Sequence, residues 1–364
     1  MKKYVVIHVD FDYFYAQCEE IRKPELRTVP VAVCVFSERG ENSGAIATAN
    51  YLARDYGVKA GMPITTAKRK LESIPESIFL PTDFDYYSDI SQKTMDIMNN
   101  FADVFEYVGK DEAYLDITSK TGGSFDRAAH VGQQIKNTIR DSTKLTCSVG
   151  ISPNKLVSKI ASDFKKPDGL TIVRPENIPT FLEPLKIRDI PGIGKKTEDK
   201  LTSMGFNTVG QLCHADVFML HKEFGRKNGT YIYNASRGKD SSLVAEKEPS
   251  VQYSKISTLS RDSSDESFLM SNLSKICDQL HEIVKKNNKL FRSVGIQFVQ
   301  NDMSNKSHSR MLLHPTASHQ DLARTAKQLL HKSLQTQNKP IRRLGVKVSD
   351  LSDMSGQLNI DSYF

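Results

Sequence analysis

Short apolar runs alternate with helical patterns along the first half of the chain. The runs at residues 4–9 (YVVIHV) and 29–36 (VPVAVCVF) are β-rich and nearly uninterrupted, which predicts buried strands. Residues 104–118 have two β-rich halves around Gly109 and predict a hairpin. Amphipathic patterns between and after these strands predict helices over residues 13–22, 126–141 and 154–164. This mixture of strands and helices predicts an α/β layer.

The pattern changes after Pro175. Short helices separated by glycine turns follow, and then a polar segment over residues 236–250 that is typical of a linker. Residues 251–350 regain a rhythm of strand, helix, strand, strand, helix, strand. A chain of 364 residues with such breaks is expected to form several domains.

Composition narrows the class of protein. Hydrophobic residues at 38% and charged residues at 26% are typical of a globular protein. No apolar run approaches the length of a membrane span, and the first one, broken by His8 and Asp10, predicts a strand instead of a signal peptide. Five scattered cysteines without C-x-x-C spacing predict neither a disulfide framework nor a zinc site, and they indicate a reducing, intracellular compartment.

The positive charge is concentrated in one region. The formal net charge is +7, yet residues 1–248 carry 34 basic and 33 acidic side chains. Residues 249–350 carry 16 basic and 8 acidic ones. A nearly neutral body joined to a basic domain favours binding of a polyanion such as nucleic acid, although a solvated basic surface would have the same composition.

Three carboxylates stand where strands end or turn. Asp10 ends the first predicted strand, and Asp111 and Glu112 lie beside the hairpin turn. Such carboxylates suit a site for two Mg²⁺ ions, which stabilise the entering and leaving oxygens of a phosphoryl transfer. Neighbours on a regular strand point to opposite faces, so Asp111 and Glu112 need an irregular turn to converge. An isolated Asp-Glu pair is more often ordinary strand-end solvation, so these residues alone leave both interpretations open.

Five sequence motifs give these carboxylates a context. They occur in the order DFDYFYAQCEE (10–20), ATANYLARDYGVKAG (47–61), DEAYLDIT (111–118), VGISPNKLVSKIASDFKKPDG (149–169) and IPGIGKKT (190–197). Together they closely resemble the Y-family DNA polymerases of the DinB type, the translesion DNA polymerase IV group. The resemblance covers about residues 4–240, and the basic domain matches by size, charge and its last strand.

The resemblance implies an α+β multidomain fold, a right-hand polymerase with a C-terminal α/β little-finger domain. The implied parts are a palm (1–18 and 80–170), fingers (19–79), a helix-hairpin-helix thumb (171–235), a linker (236–248), the little finger (249–350) and a tail (351–364). The implied activity is template-directed, low-fidelity synthesis across lesions, adding dNMP to a primer 3′-hydroxyl without proofreading.

The resemblance also assigns roles at the catalytic centre. Asp10, the Phe11 carbonyl, Asp111 and Glu112 would hold two Mg²⁺ ions, and Glu112 would bind the ion that activates the primer 3′-hydroxyl. Tyr15 takes the position of the steric gate, whose ring excludes a ribose 2′-hydroxyl. On composition alone, aromatic side chains at positions 13–15 are more often core.

The incoming dNTP would contact a further set of residues. They are Phe14, Tyr15, Thr48, Tyr51, Arg54 and Lys166, with Lys159 given less weight. Tyr51 and Arg54 are three apart on one helix, so both can reach the same phosphates. Alternatively, Arg54 pairs with Asp55 or Glu41, and Lys166 is simply solvated. Small side chains at residues 45 and 47 leave room for distorted bases.

Two positions depart from the family pattern. Lys110 replaces the usual hydrophobic residue before the Asp-Glu pair, and it would compete with Mg²⁺ if it pointed inward. The first strand of the basic domain, SVQYSKIST (250–258), lacks the glycine that many relatives have, which leaves its register open.

Three segments predict contacts with macromolecules. IPGIGKK has the form of a helix-hairpin-helix turn, in which Gly192 and Gly194 admit a DNA phosphate and Lys195 and Lys196 add charge. A weaker second copy is predicted at residues 223–238.

On the last strand, Arg343 and Lys347 share a face and Arg342 takes the other, so contacts with the backbone of primer-template DNA are expected. The tail QLNIDSYF resembles a sliding-clamp (PCNA-like) peptide through Gln357, Ile360, Tyr363 and Phe364, a box that favours an archaeal source.

Two other functions fit parts of these observations. A nucleotidyl cyclase would share the carboxylates but needs neither the thumb motif nor the basic domain. A non-catalytic DNA- and clamp-binding adaptor of the same fold would need no complete active site. We expect a polymerase that is a cytoplasmic, nucleoid-associated monomer, binds primer-template DNA and dNTP, and does not associate with membranes.

Overall fold

The computed structural model describes residues 4–40, 42–246, 249–336 and 339–354. The chain divides into two compact units, one formed by residues 1–35 and 45–247 and the other by residues 36–44 and 248–364. The elements of the first unit are β1 (Val6–Phe11), α1 (Phe14–Arg22), β2 (Val31–Phe36), β3 (Gly44–Ala49), α2 (Tyr51–Asp55), α3 (Ile64–Lys70), β4 (Ile78–Pro81), α4 (Phe84–Phe101), β5 (Val104–Tyr107), β6 (Glu112–Asp116), α5 (Thr118–Thr121), α6 (Phe125–Thr143), β7 (Cys147–Ser152), α7 (Lys155–Phe164), β8 (Leu170–Ile172), α8 (Ile178–Leu182), α9 (Lys195–Ser203), α10 (Val209–Leu212) and α11 (Val217–Ala235). Those of the second are β9 (Gln252–Ser263), α12 (Glu266–Lys286), β10 (Lys289–Gln300), β11 (Asn305–Thr316), α13 (His319–Leu334) and β12 (Ile341–Asp353).

A five-stranded sheet in the order β5-β6-β1-β7-β8 carries the catalytic candidates. Strand β1 pairs antiparallel with both β6 and β7, and it is buried throughout except at Asp10. One face of the sheet is covered by α7, which crosses β7 so closely that a Cβ at Gly150 would lie 2.0 Å from the Ser158 carbonyl oxygen. Glycine is therefore required there. The opposite face packs on α4 and α6, with a core that includes Ile7, Val9 and Ile151.

A three-stranded sheet, β3-β2-β4, with α2 and α3 forms the next layer of the first unit. Asn50 connects it to α1 through its buried side chain, which also caps α2 by accepting the Ala53 N–H. The same amide group donates to the Glu20 carboxylate and the Val29 carbonyl oxygen at 3.0 and 2.9 Å. Helix α2 is thereby held directly behind β3.

Residues 178–235 form short helices around their own core, built on Leu182, Leu201, Leu212 and Leu220. Helix α9 begins at the IPGIGKK turn, where Gly192 has a φ of 82°. Helix α11 is broken at Gly225, whose φ of 76° is left-handed. The break falls within the segment predicted as a second hairpin copy.

The second unit has a four-stranded antiparallel sheet, β11-β10-β12-β9, covered on one face by α12 and α13. Strand β12 turns Leu344, Val346 and Val348 into the core, so Arg343 and Lys347 face the opposite, uncovered side. Strand β9 pairs with β12 from Gln252 onward, which establishes the register of the first strand.

The predicted rhythm of elements is confirmed in both units, with small changes at the ends. The first strand continues to Phe11, and the helix predicted for 126–141 spans Phe125–Thr143. Within 236–246 the predicted linker has no helix or strand, but it is attached to the large sheet. Val244 is buried against Val6 and Tyr114, and the Ala245 N–H donates to the Glu106 carboxylate at 3.1 Å.

All five cysteines are unpaired thiols, and four of them are buried. Across the part of the chain that the structure describes, no helix combines the length and apolar character that a membrane span requires.

Candidate active site

The three predicted carboxylates belong to neighbouring backbone positions at the end of β1. Asp10 and Glu112 are directly paired residues of the β1–β6 ladder. Asp111 precedes β6 in the turn of the hairpin, and its carbonyl oxygen accepts the Phe11 N–H at 2.8 Å. On a regular strand, the side chains of Asp111 and Glu112 would lie on opposite faces of the sheet. Asp111 lies outside the regular strand, so this alternation does not apply to it. The irregular turn that convergence requires is present.

Two lysines approach these carboxylates. The Lys166 ammonium group donates to Asp10 at 2.6 Å and to Asp163 at 2.7 Å. Lys159 contacts the Glu112 carboxylate from α7. Lys166 is therefore ion-paired at the site, which contradicts the alternative that it is simply solvated, and Lys159 is more central than the sequence suggested.

Burial and the neighbouring charges shift the pKa values of the carboxyls in opposite directions. Burial, opposed by Lys166, raises the pKa of Asp10 to about 6. Burial and the adjacent Glu112 also raise the pKa of Asp111. The His8 side chain and Lys159 hold the pKa of Glu112 down to about 2, against the effect of burial. Burial and mutual repulsion therefore disfavour the charged forms of Asp10 and Asp111, whereas Glu112 keeps a low pKa.

The donor set suits a hard divalent cation, because all candidate ligands are oxygens from carboxylates and the Phe11 carbonyl. Among the described residues no three His, Cys, Asp or Glu side chains stand close enough together to hold a metal ion as they are. The lysines on Asp10 and Glu112 supply the compensating positive charge in this arrangement.

A cavity of about 240 Å³ opens beside Asp10 and Asp111. Most of the predicted metal and nucleotide residues line it, namely Asp10, Phe11, Phe14, Tyr15, Thr48, Arg54, Asp111 and Lys166. The Tyr15 ring is stacked on Tyr87 with centroids 4.6 Å apart and meets the Phe84 ring edge-on at 6.0 Å. Tyr15 thus has a fixed ring position in the cavity wall, whereas Phe14 is buried in the core.

Tyr51 lies apart from this lining, in the wall of a neighbouring cavity of about 410 Å³. Its hydroxyl is buried without a hydrogen-bond partner among the described residues. Arg54 lies over the Tyr51 ring with its guanidinium carbon 5.0 Å from the centroid, and its Nε donates to the Ala49 carbonyl oxygen at 2.8 Å. No ion pair joins Arg54 to Asp55 in the described ranges, and Glu41 lies outside them.

Lys110 points away from the carboxylates. Its ammonium group contacts the Ser88 hydroxyl at the start of α4, and its carbonyl oxygen accepts the Ser91 hydroxyl at 2.7 Å. The departure from the family pattern therefore places no additional charge between Asp111 and Glu112.

Two buried side chains at the site escaped the sequence analysis. His8 lies behind Glu112, and Asp12 accepts hydrogen bonds from β7 and from the loop that carries Lys166. A polar residue inside an apolar strand is a usable signal for His8, since an isolated buried polar group needs a partner. No signal identifies the partner itself.

At the predicted thumb turn, Gly192 and Gly194 are exposed at the start of α9. A Cβ at Gly194 would meet nothing within 4 Å. Lys195 pairs with Asp199 at 2.7 Å, and Lys196 is exposed beside it. The backbone at this turn is open to a ligand such as a phosphate.

The uncovered face of the second unit's sheet carries Arg343 and Lys347, as the alternation along the strand predicted. Lys347 lies across Gly295 of the paired strand, where a Cβ would come within 2.8 Å of the lysine side chain. Arg342 lies next to an irregularity in the β12–β9 pairing, 3.8 Å from Asp262. Gln357, Ile360, Tyr363 and Phe364 lie outside the described residues.

Carboxylates at a strand end beside an aromatic-walled cavity are typical of enzymes that transfer phosphoryl or nucleotidyl groups. Known proteins identify the family. Residues 9–163 match the impB/mucB/samB family, residues 250–361 match the C-terminal domain of that family, and residues 188–240 match the thumb domain of DNA polymerase-iota.

Whole-chain relatives agree with these matches. DNA polymerase IV of Nitrosopumilus maritimus (strain SCM1) is 62% identical over 364 residues, covering 100% of both chains. A Y-family DNA polymerase chimera of Dbh and Dpo4 superposes with a TM-score of 0.88 at 33% identity, over 96% of this chain and 99% of that chain. An insertion ternary complex of Dbh DNA polymerase gives a TM-score of 0.69 at 33% identity, over the same shares.

The chain belongs to the impB/mucB/samB family, the Y-family DNA polymerases, in its DinB-type branch. It is a DNA-directed DNA polymerase of translesion synthesis, as the motifs predicted. The adaptor alternative is not favoured. Polymerases of this family depend on divalent metal ions, which is consistent with the oxygen donors at the end of β1.

Proposed function

We propose that this polymerase joins dNMP to a primer 3′-hydroxyl at the carboxylates of Asp10, Asp111 and Glu112, which would bind two Mg²⁺ ions together with the Phe11 carbonyl. The observation that carries the proposal is the pairing of Asp10 with Glu112 beside the irregular turn of Asp111. The ions would supply the charge stabilisation that phosphoryl transfer with pyrophosphate release requires. The protein residues bind, orient and neutralise the reacting groups.

The nucleotide would lie in the cavity of about 240 Å³. Tyr15, fixed by Tyr87, would close the space beside the sugar. Lys166, Arg54 and Thr48 would face the triphosphate, because they line the same cavity as Asp10. Tyr51 would reach a phosphate through its unpartnered hydroxyl. Phe14, buried behind Tyr15, would support the gate.

Primer-template DNA would be held through its phosphates at two surfaces. One is the turn of Gly192, Gly194, Lys195 and Lys196, where exposed backbone N–H groups begin a helix. The other is the uncovered sheet face with Arg343 and Lys347, to which Arg342 contributes from the strand's edge. The insertion ternary complex of Dbh DNA polymerase, which shares this fold, supports DNA and nucleotide as the bound partners.

Primer extension tests this proposal. Wild type is expected to extend primers on undamaged and abasic templates with Mg²⁺ and dNTPs, and the Asp111→Ala/Glu112→Ala variant is expected to bind DNA without extending it. Extension by the double variant at the wild-type rate would overturn the assignment of the carboxylates.

We further propose that the tail residues Gln357, Ile360, Tyr363 and Phe364 bind a PCNA-like sliding clamp and that the enzyme is a nucleoid-associated monomer. The spacing of an aliphatic residue and two aromatics on a polar tail supports the clamp peptide.

Deleting residues 357–364 is expected to leave distributive synthesis unchanged and to abolish stimulation by an archaeal clamp. The measurement is primer extension with and without the clamp, with Gln357→Ala as a milder variant. Equal stimulation of the truncated and full-length enzymes would contradict the tail assignment.

A further inference from the structure

His8 is completely buried two residues before Asp10 on β1. It faces the side of the sheet that α7 covers, since its ladder partner is Gly150. The Tyr114 ring packs on the imidazole with centroids 4.5 Å apart. The ring therefore has no access to solvent, and each of its nitrogens needs a partner within the protein.

One imidazole nitrogen has such a partner. Nδ1 lies 2.8 Å from the Ser162 hydroxyl oxygen on α7. That hydroxyl is also 2.8 Å from the Lys159 carbonyl oxygen, and its single hydrogen can serve only one of the two acceptors. When the hydroxyl donates to Nδ1, the neutral imidazole carries its hydrogen on Nε2.

The other nitrogen, Nε2, lies beside the Glu112 carboxylate. Nε2 lies 3.2 Å from the Glu112 Oε2 atom, yet it makes no hydrogen bond among the described residues. The distance allows a hydrogen bond, and only its direction is lacking in this structure. The Lys159 ammonium contacts the same Oε2 atom. In the described residues, no hydrogen bond or ion pair is formed by Oε1.

We propose that His8 is a positioning residue for Glu112: with Ser162 as donor to Nδ1, its Nε2–H binds the Oε2 atom and leaves the other carboxylate oxygen for the divalent cation. This inference rests on the proposed role of Glu112 as a metal ligand. Hydrogen bonds from outside a metal site orient its ligands, and removing them commonly weakens metal affinity. The observation that supports such a bond is the buried Nε2 atom, which has no hydrogen-bond partner among the described residues.

The test measures cation binding directly. Free Mn²⁺ is followed by electron paramagnetic resonance during titration of the full-length enzyme with a dideoxy-terminated primer-template and dNTP. The variants are His8→Phe, which keeps a ring against Tyr114 but has no donor, His8→Gln, which keeps an N–H donor, and Ser162→Ala, which removes the donor to Nδ1. The matched control is His130→Phe, on the exposed side of α6.

His8→Phe is expected to weaken Mn²⁺ binding by about 10-fold and to raise the half-saturating Mg²⁺ concentration for nucleotide incorporation in parallel. Ser162→Ala is expected to shift both in the same direction, because Nδ1 then lacks the hydroxyl donor that would keep the imidazole hydrogen on Nε2. His8→Gln is expected to recover most of the affinity, and His130→Phe is expected to match wild type. Melting temperatures report separately on folding.

Wild-type Mn²⁺ affinity in a folded His8→Phe enzyme would overturn the proposal, as would equal losses in His8→Phe and His8→Gln with no change in Ser162→Ala. If His8→Phe does not fold, Ser162→Ala and His8→Gln decide between the same outcomes. Glu112→Gln separates the proposed role of Glu112 as a metal ligand from the proposed role of His8. Unchanged Mn²⁺ binding in Glu112→Gln would show that Glu112 is not a ligand. A loss in Glu112→Gln with wild-type binding in His8→Phe would remove only the role of His8.

Discussion

Asp12 illustrates how a single buried side chain organises the site. Its carboxylate is 1% exposed and accepts three hydrogen bonds, from the Ser148 hydroxyl at 2.7 Å, the Thr146 hydroxyl at 3.0 Å and the Asp168 N–H at 2.8 Å. Asp168 lies two residues after Lys166, so Asp12 ties the loop that carries this lysine to the end of β1. We expect the position of Lys166 beside Asp10 to depend on that tie.

Asp12→Ala is expected to destabilise the protein by about 3 kcal/mol, because buried donors on β7 and in the loop lose their acceptor. The KM for dNTP is expected to rise as Lys166 loses its fixed position. Urea denaturation and steady-state kinetics measure the two effects. Asp126→Ala, which removes an exposed partner of Arg174, is the control and should change stability by less than about 1 kcal/mol. Equal effects of the two variants would contradict the role of Asp12.

At the same scale, Tyr15 acts through the bulk of its ring. Tyr15→Ala is expected to reduce discrimination against ribonucleotides by about tenfold or more. Tyr87 and Phe84 hold the Tyr15 ring in place, and removing the ring opens the space that it fills. This discrimination is measured by letting dNTP and rNTP compete for incorporation into the same primer. Tyr15→Phe should discriminate like wild type. Unchanged discrimination in Tyr15→Ala would remove the gate assignment.

At the scale of elements, β12 separates its two faces by simple alternation. Its apolar residues enter the core beneath α12 and α13, and its basic residues stay on the uncovered face. Helix α7 has a comparable division, with Leu156 and Ile160 in a core and Lys159 at the Glu112 carboxylate. In both elements the buried face holds the charged face in place.

Replacing both Arg343 and Lys347 by alanine is expected to weaken DNA binding and to reduce the slope of log affinity against log salt by about 2, one for each lost phosphate contact. Fluorescence anisotropy at several salt concentrations measures the slope. Arg324→Ala/Lys327→Ala removes the same charge from exposed positions of α13, on the covered side of the sheet, and should change the slope little. A slope change of equal size in both variants would indicate general charge instead of a binding face.

At the scale of the whole molecule, each compact unit has its own apolar core, and the carboxylates proposed to be catalytic lie at the edge of one of them. Lys166 and Lys159 already pair with Asp10 and Glu112, so we expect the first unit to fold without a bound cation.

Chelation with EDTA is therefore expected to abolish primer extension while shifting the melting temperature by no more than about 2 °C, since a weakly bound ligand adds little stability. Circular dichroism melts with and without EDTA measure the shift, and added Mg²⁺ should restore synthesis. Cooperative unfolding on chelation would show that the carboxylates need the metal to fold.

Periodicity and motif spacing were sufficient to predict the order of elements and the family, and they put Asp10 at a strand end and Asp111 with Glu112 at a hairpin, where the structure has them. The roles of these carboxylates, of Tyr15 and of Lys166 stay predictions. These features are local: a strand needs only its own alternation, and a motif places its residues within a few positions. The end of the predicted linker shows where local patterns stop, because its polar composition conceals Val244, which is buried against a strand more than a hundred residues away.

The side-chain partners at the site came from long-range packing. His8 meets Ser162 and Glu112, Asp12 meets Ser148 and Asp168, and Lys110 turns to Ser88. A buried polar residue must find a partner, but chain topology selects which one, and these partners are separated along the chain by 22 to 156 residues. The family and the enzyme class could thus be predicted from the motifs, whereas the contacts that orient the charged groups arise only when distant strands and helices pack together.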